Sequence, residues 1–266
     1  MSYTCRMNPP GTSHGGDVLW RSMNLKLGAA VIPLLIAQVP DPDVREPLPA
    51  RVILVAHGLG VSKEVQRPEL EKLARSGFTA VGIDAPHHGE RRDEQLDAQS
   101  AATGAEAHKR FIAMVAEAAA EIPLLIEYFK TTLHARVAMT GISMGGYTTF
   151  ASFMHDPRPD AAVPFLASPD WRSDPSSGTL GPDTPAGPVS RPERFSPVPL
   201  LVITAGLDTT VPPATATCFV RSLRRSYART PERLAQIEYP RSEHMMRGDD
   251  WNDAWNRAIE FLNLHL

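Results

Sequence analysis

Gly141-Ile142-Ser143-Met144-Gly145-Gly146 sets a serine between glycines two positions before and two after it. That spacing suits a tight strand-to-helix turn, where flanking side chains would collide and the serine Oγ is lifted into a cleft. A helix starting just behind the serine also favours developing negative charge. A hydroxyl is a weak nucleophile without a general base, so a carboxylate and then a histidine should follow along the chain. Asp208 follows in Gly206-Leu207-Asp208-Thr209-Thr210-Val211-Pro212, and His244 in Ser242-Glu243-His244-Met245-Met246. Ser143 therefore reads as nucleophile, His244 as base and Asp208 as the group that orients the imidazole. His57-Gly58-Leu59-Gly60 supplies a glycine-rich loop, which makes the N–H groups of Leu59 and Met144 the expected oxyanion donors. The imidazole of His57 reads as a structural hydrogen-bonding group.

These residues need strands and helices to present them. Arg51–Ala56 is a continuous β-branched and aliphatic run that stops at His57, the pattern of a strand buried on both faces. Phe78–Ile83, Arg136–Thr140, Ala161–Leu166, Leu200–Thr204 and Ala235–Tyr239 read as further strands. A helix is expected from Pro68, burying Leu70, Leu73 and Ala74 and stopping at Gly77. Phe111, Val115, Ala118, Ile122, Leu125 and Phe129 fall on one helical face within 100–133, with Pro123 expected to kink or split the helix. Met144–Met154 and a last stretch carrying Trp251, Trp255, Ile259 and Leu262 are also helical. Two apolar runs between Asp17 and Val39, parted by Gly28 and closed by Pro40-Asp41-Pro42, read as an antiparallel hairpin. Strand and helix otherwise alternate, which specifies a mostly parallel sheet with helices on both faces. Only 168–199, rich in Pro, Ser, Gly and Asp, breaks the alternation and is expected to be a long loop or minimal lid.

Other candidates carry less. His14, His108, His134, His155 and His265 are expected at the surface, and His87 and His88 in a structured crossing loop. Lys63-Glu64 and Arg91-Arg92-Asp93-Glu94 are expected to form solvated faces. Trp171, just beyond a strand end, is a candidate pocket residue. No H-e-x-x-H or paired-cysteine spacing is present, so neither metal nor cofactor is expected.

With 27 Lys+Arg against 30 Asp+Glu, the net charge of −3 gives no electrostatic footprint for nucleic acid or an anionic membrane. The longest apolar stretch, Ala29–Val39, is too short to span a bilayer and no secretory signal is visible. Two cysteines, Cys5 and Cys218, allow at most one disulfide. A single domain of 266 residues in a reducing cytoplasm, acting on a small molecule, is the expectation; homo-oligomerisation stays open.

In family order over roughly 17–264, these motifs resemble the α/β-hydrolase family. His57-Gly58-Leu59-Gly60-Val61-Ser62-Lys63-Glu64 with Asp84-Ala85-Pro86-His87-His88-Gly89-Glu90-Arg91 is similar to its dienelactone hydrolase-like branch. Dienelactone hydrolases proper commonly carry cysteine at the elbow, whereas this chain carries Ser143. The resemblance therefore implies a serine carboxylesterase, and a loop cap over 168–199 without helices suggests an open site for short-chain acyl esters. An oligopeptidase-like or deacetylase-type hydrolase and a non-catalytic binding module are the alternatives.

Overall fold

The computed structural model describes residues 16–40, 50–174, 178–179 and 184–266. Cys5, His14, the Asp41-Pro42 end of the hairpin and parts of 168–199 lie outside the described residues. In chain order the strands are β1 (Leu19–Leu27), β2 (Ala30–Gln38), β3 (Arg51–Ala56), β4 (Thr79–Ile83), β5 (Arg136–Ile142), β6 (Ala161–Phe165), the short β7 (Ser173–Asp174) and β8 (Gly178–Thr179), β9 (Leu200–Ala205) and β10 (Leu234–Tyr239). The helices are α1 (Arg67–Arg75), α2 (Glu94–Ala101), α3 (Gly104–Leu133), α4 (Met144–Ala151), α5 (Ala214–Leu223) and α6 (Gly248–His265).

Eight strands form one sheet in the order β1-β2-β4-β3-β5-β6-β9-β10. The β1–β2 hairpin turns at Gly28, whose φ of +61° is one that side chains resist, and β2 joins β4 antiparallel. All pairings from β4 to β10 are parallel. The uniformly buried β3, β4, β6 and β9 match their aliphatic sequences, because helices cover both sides.

On one face, Leu70, Leu73 and Ala74 of α1 and Trp255, Ala258 and Leu262 of α6 pack against Ile53, Val55 and Ile203. On the other, α3, α4 and α5 bury Val115, Phe150 and Phe219 over the sheet, and the distal half of α3 adds Ile122, Leu125 and Phe129. This is the α/β-hydrolase architecture expected from the sequence.

Some elements differ from expectation. α3 runs unsplit through Pro123. Losing one backbone hydrogen bond costs less than the burial of Ile122, Leu125 and Ile126 around it secures. α2 starts earlier than the expected helix, capped by Asp93, whose Oδ1 accepts the Gln95 N–H at 3.0 Å. α5 has no counterpart among the expected elements, although Ala216, Phe219, Val220 and Leu223 share a helical face. The described part of 168–199 packs into the body: Phe195 stacks on Phe153 at 4.3 Å, and Tyr227 Oη donates to the Phe195 and Val198 carbonyls.

Candidate active site

β3 leads to α1 on one face of the sheet, and the chain returns from β4 through α3 on the other before entering β5. The β3–β5 boundary is therefore a switch point, where the loops at the strands' carboxyl ends part and leave a crevice. Ser143 follows β5 there, with φ +55° and ψ −116°, a strained conformation for a residue with a side chain. The glycines around it are required by close backbone approach. A Cβ on Gly141 would strike the Gly145 carbonyl group, one on Gly145 the Ala56 carbonyl, and one on Gly146 the Phe165 carbonyl. These contacts explain the glycine spacing physically and hold the serine at the amino end of α4.

Asp208 lies past β9 and His244 between β10 and α6, so three loops converge on Ser143. His244 Nε2 is 3.0 Å from Ser143 Oγ, and His244 Nδ1 is 2.7 Å from Asp208 Oδ2. The buried Asp208 spends its other oxygen on the N–H groups of Thr210 and Val211, at 2.9 and 2.8 Å. The carboxylate thus has a fixed orientation, and Nδ1–H donates to it while Nε2 faces the serine hydroxyl as an acceptor. Ser143, Asp208 and His244 are brought together in the arrangement anticipated from the sequence. The expected oxyanion donors flank it. Met144 is the first residue of α4, whose N–H has no partner within the helix, and Leu59 sits in the loop beside Ser143. Neither N–H makes a backbone hydrogen bond among the described residues.

His57 is fully buried, accepts the Ala85 N–H on Nε2 at 3.1 Å and donates from Nδ1 to the Gly58 carbonyl at 2.7 Å. Burial pushes its pKa down to about 4, leaving it neutral and structural, as expected. The expectation of solvated faces fails for Lys63 and Arg91, whereas Glu64, Arg92, Asp93 and Glu94 are exposed as expected. Lys63 is fully buried, with Nζ 2.7 Å from Asp84, 2.6 Å from Glu90 and 3.0 Å from Glu64. Arg91 forms a two-pronged pair with Glu121 of α3. Runs of charge resemble solvated faces in a sequence because their partners lie twenty to thirty residues away.

A cavity of about 1010 Å³ opens over Ser143 and His244. On the α1–α6 side Val65, Glu69, Met246 and Trp251 line it; on the α3–α4 side Ala107, Phe111 and Tyr147 do. Its roof includes Gln99 at the end of α2 and His108 near the start of α3. Two expectations are therefore revised. The described part of 168–199 is a long loop, as expected, but none of its described residues lines the cavity, whose roof comes from α2 and α3 instead. Trp171 lies outside the lining: its ring fills the space beside Gly187, where a Cβ would strike it, and its carbonyl accepts from His108 Nε2 at 2.7 Å. His108 is accordingly buried in the cavity roof. Of the other histidines placed at the surface, His134 is exposed, whereas His155 and His265 are half-buried. Asp93, a helix-capping type just before α2, was the signal in the sequence for this helical roof.

The sequence model of the Dienelactone hydrolase family matches residues 37–266. "Putative esterase YitV" of Bacillus subtilis (strain 168) is 27% identical over 216 residues, covering 73% of this chain and 82% of that protein. Among solved structures, TT1662 from Thermus thermophilus aligns over 92% of this chain and 98% of its own, with TM-score 0.71 and 22% identity. A structure named "Putative Dienelactone Hydrolase" from Klebsiella pneumoniae subsp. pneumoniae MGH 78578 aligns over 93% and 99%, with TM-score 0.70 and 17% identity.

Proposed function

Because the chain belongs to the dienelactone hydrolase family and is thereby a hydrolase, we propose that it is a serine carboxylesterase working through a covalent acyl-enzyme. The observation that carries this reading is the unbroken chain from Ser143 Oγ through His244 to Asp208, at 3.0 and 2.7 Å. His244 Nε2 takes the hydroxyl proton as Oγ attacks the ester carbonyl. The Leu59 and Met144 N–H groups receive the oxyanion. His244 returns the proton to the leaving alcohol, then activates a water that releases the acid. Asp208 holds the Nδ1–H tautomer and stabilises the transient imidazolium.

The expectation of short-chain substrates depends on a cap without helices, and the α2–α3 roof removes that premise. A cavity of about 1010 Å³ has room for acyl and alcohol groups well beyond acetyl. Initial rates on p-nitrophenyl acetate through decanoate test both points. Wild type is expected to turn over at least the C4–C8 esters, and Ser143→Ala to lose on the order of 10⁴-fold or more in kcat. Hydrolysis retained in Ser143→Ala overturns the assignment, and peptidyl-anilide turnover equal to ester turnover would favour the peptidase alternative.

A further inference from the structure

Leu59 can stabilise an oxyanion only if its N–H is held to within about half an ångström while the ester reacts. Leu59-Gly60-Val61 has little to hold it directly: Leu59 and Val61 are exposed, and Gly60 has φ +79°. The flanks are tied down instead. On one side, His57 bridges the Gly58 carbonyl to the Ala85 N–H. On the other, Asp84 Oδ1 accepts the Lys63 N–H at 2.9 Å and Asp84 Oδ2 meets Lys63 Nζ at 2.7 Å.

We propose that Lys63 and Asp84 are positioning residues for the Leu59 oxyanion donor, acting through a buried ion cluster that locks the loop after β3 to the loop after β4. This inference rests on the Ser143 reading above. Both side chains are fully buried. Glu90 closes the cluster twice, its carboxylate 2.6 Å from Lys63 Nζ and its N–H donating to Asp84 Oδ2 at 3.0 Å. Gly89 allows that wrap, since a Cβ there would collide with the Asp84 carboxylate. Arg91 anchors the far end, donating to the Asp84 carbonyl at 3.3 Å while gripping Glu121 of α3. The Lys63 stem is equally fixed, lying against Gly82 of β4 where a Cβ would be 3.3 Å from the lysine Cβ.

Stability alone does not account for such a cluster. Taking an ammonium and a carboxylate out of water costs several kcal/mol each, and apolar residues of the same volume often serve the fold as well. Directional hydrogen bonds to a main-chain N–H on each loop do what packing cannot: they fix the register of one loop against the other. The sequence separation of 21 residues between Lys63 and Asp84 spans α1 and β4, so the lock joins the crevice to the body of the sheet.

The test is the rate at which a fluorophosphonate labels Ser143, read beside ester kinetics. Labelling forms a bond from Oγ to phosphorus, expels fluoride and passes the proton to His244, so it needs the oxyanion site but no particular ester. Lys63→Met and Asp84→Asn are expected to lower both the labelling rate constant and kcat by ~30–300-fold, somewhat less than the roughly 10²–10³-fold of an oxyanion donor removed outright, with KM within about three-fold. Each is measured well below its own unfolding temperature. Glu90→Gln, whose side chain is half-exposed, folds in any case and should slow both several-fold. Folded variants that label and turn over at the wild-type rate, whatever their melting temperature, overturn the proposal; where Lys63→Met does not fold, wild-type behaviour of Glu90→Gln does so. Wild type that labels at Ser143 yet hydrolyses no ester removes the esterase reading and leaves the labelling series to decide this one. Wild type that does not label removes both.

Discussion

Gly145, two residues past the nucleophile, presses its Cα against the carbonyl of Ala56 at the end of β3, where a Cβ has no room. The first turn of α4 and the end of β3 therefore meet backbone to backbone. A side chain inserted there must part the two loops that carry Met144 and Leu59. Gly145→Ala is expected to cost about 3 kcal/mol in urea unfolding, at the upper end for an overpacked site, and to lower kcat beyond what its unfolded fraction explains. Gly248→Ala is the control for stability, since nothing lies within 4 Å of its Cβ position at the start of α6. Equal stability of Gly145→Ala and wild type would contradict the close approach.

Asp208→Asn should fail through a tautomer. The Thr210 and Val211 N–H groups both donate to Asp208 Oδ1. An asparagine must keep its only oxygen there and turn its NH₂ toward His244 Nδ1. That nitrogen then has to accept, which moves the ring proton to Nε2 and leaves nothing to take the Ser143 proton. A fall in kcat on the order of 10³–10⁴-fold is expected, with KM little changed and the fold intact by circular dichroism. A loss below ten-fold would mean that Asp208 does not set the tautomer.

The catalytic constellation was legible in the sequence because each part is local. Gly141 and Gly145 report a backbone clash within a five-residue span, Asp208 lies three residues past the apolar run of β9, and His244 lies five residues past β10 and just before the amphipathic last helix. What the sequence hid depends on distant partners. Lys63 looks like a surface charge until Asp84 and Glu90 are seen to enclose it. His108 lies on a helix whose apolar face was readable, yet its burial comes from the Trp171 carbonyl, 63 residues away. Trp171 was misplaced for the same reason: a residue beyond a strand end is near the crevice edge, but Gly187 opened a space for its ring in the body instead.

Acid sensitivity should follow from His57. Burial lowers its pKa to about 4 in the folded protein, against about 6.5 in an unfolded chain. Above the unfolded value the ring is neutral in both states. Between the two values the unfolded chain takes up a proton that the folded one refuses, so stability falls as pH drops from 6.5 toward 4, by on the order of 3 kcal/mol. Burial lowers His88 too, with the same sign. His87 runs the other way: although burial alone would lower its pKa, Asp93 and Glu117 raise it, so its contribution is lost as pH rises through that raised value. Urea unfolding at pH 7, 6, 5 and 4.5 should show the decline, and His57→Gln, which keeps a donor and an acceptor, should flatten it. A decline equally steep in His57→Gln would assign it to other groups.

Glu69 is the one Asp, Glu, Lys or Arg among the described residues lining the cavity. Trp251 Nε1 donates to its Oε1 at 3.0 Å, which fixes the carboxylate at the α1–α6 end of the crevice beside an indole ring. A carboxylate next to an aromatic face favours a cationic group over a neutral one of the same shape. At a half-exposed position the gain is held to about 1 kcal/mol, or roughly five-fold. A choline ester should therefore exceed its 3,3-dimethylbutyl isostere in kcat/KM by that factor at low ionic strength. The advantage should shrink in 0.5 M salt, since exposed charges are screened. Glu69→Gln should bring the ratio to about one by slowing only the cationic ester, leaving the neutral ester as the internal standard. Were wild type to treat the two esters alike, Glu69 would serve only to seat Trp251, and the crevice would select by shape.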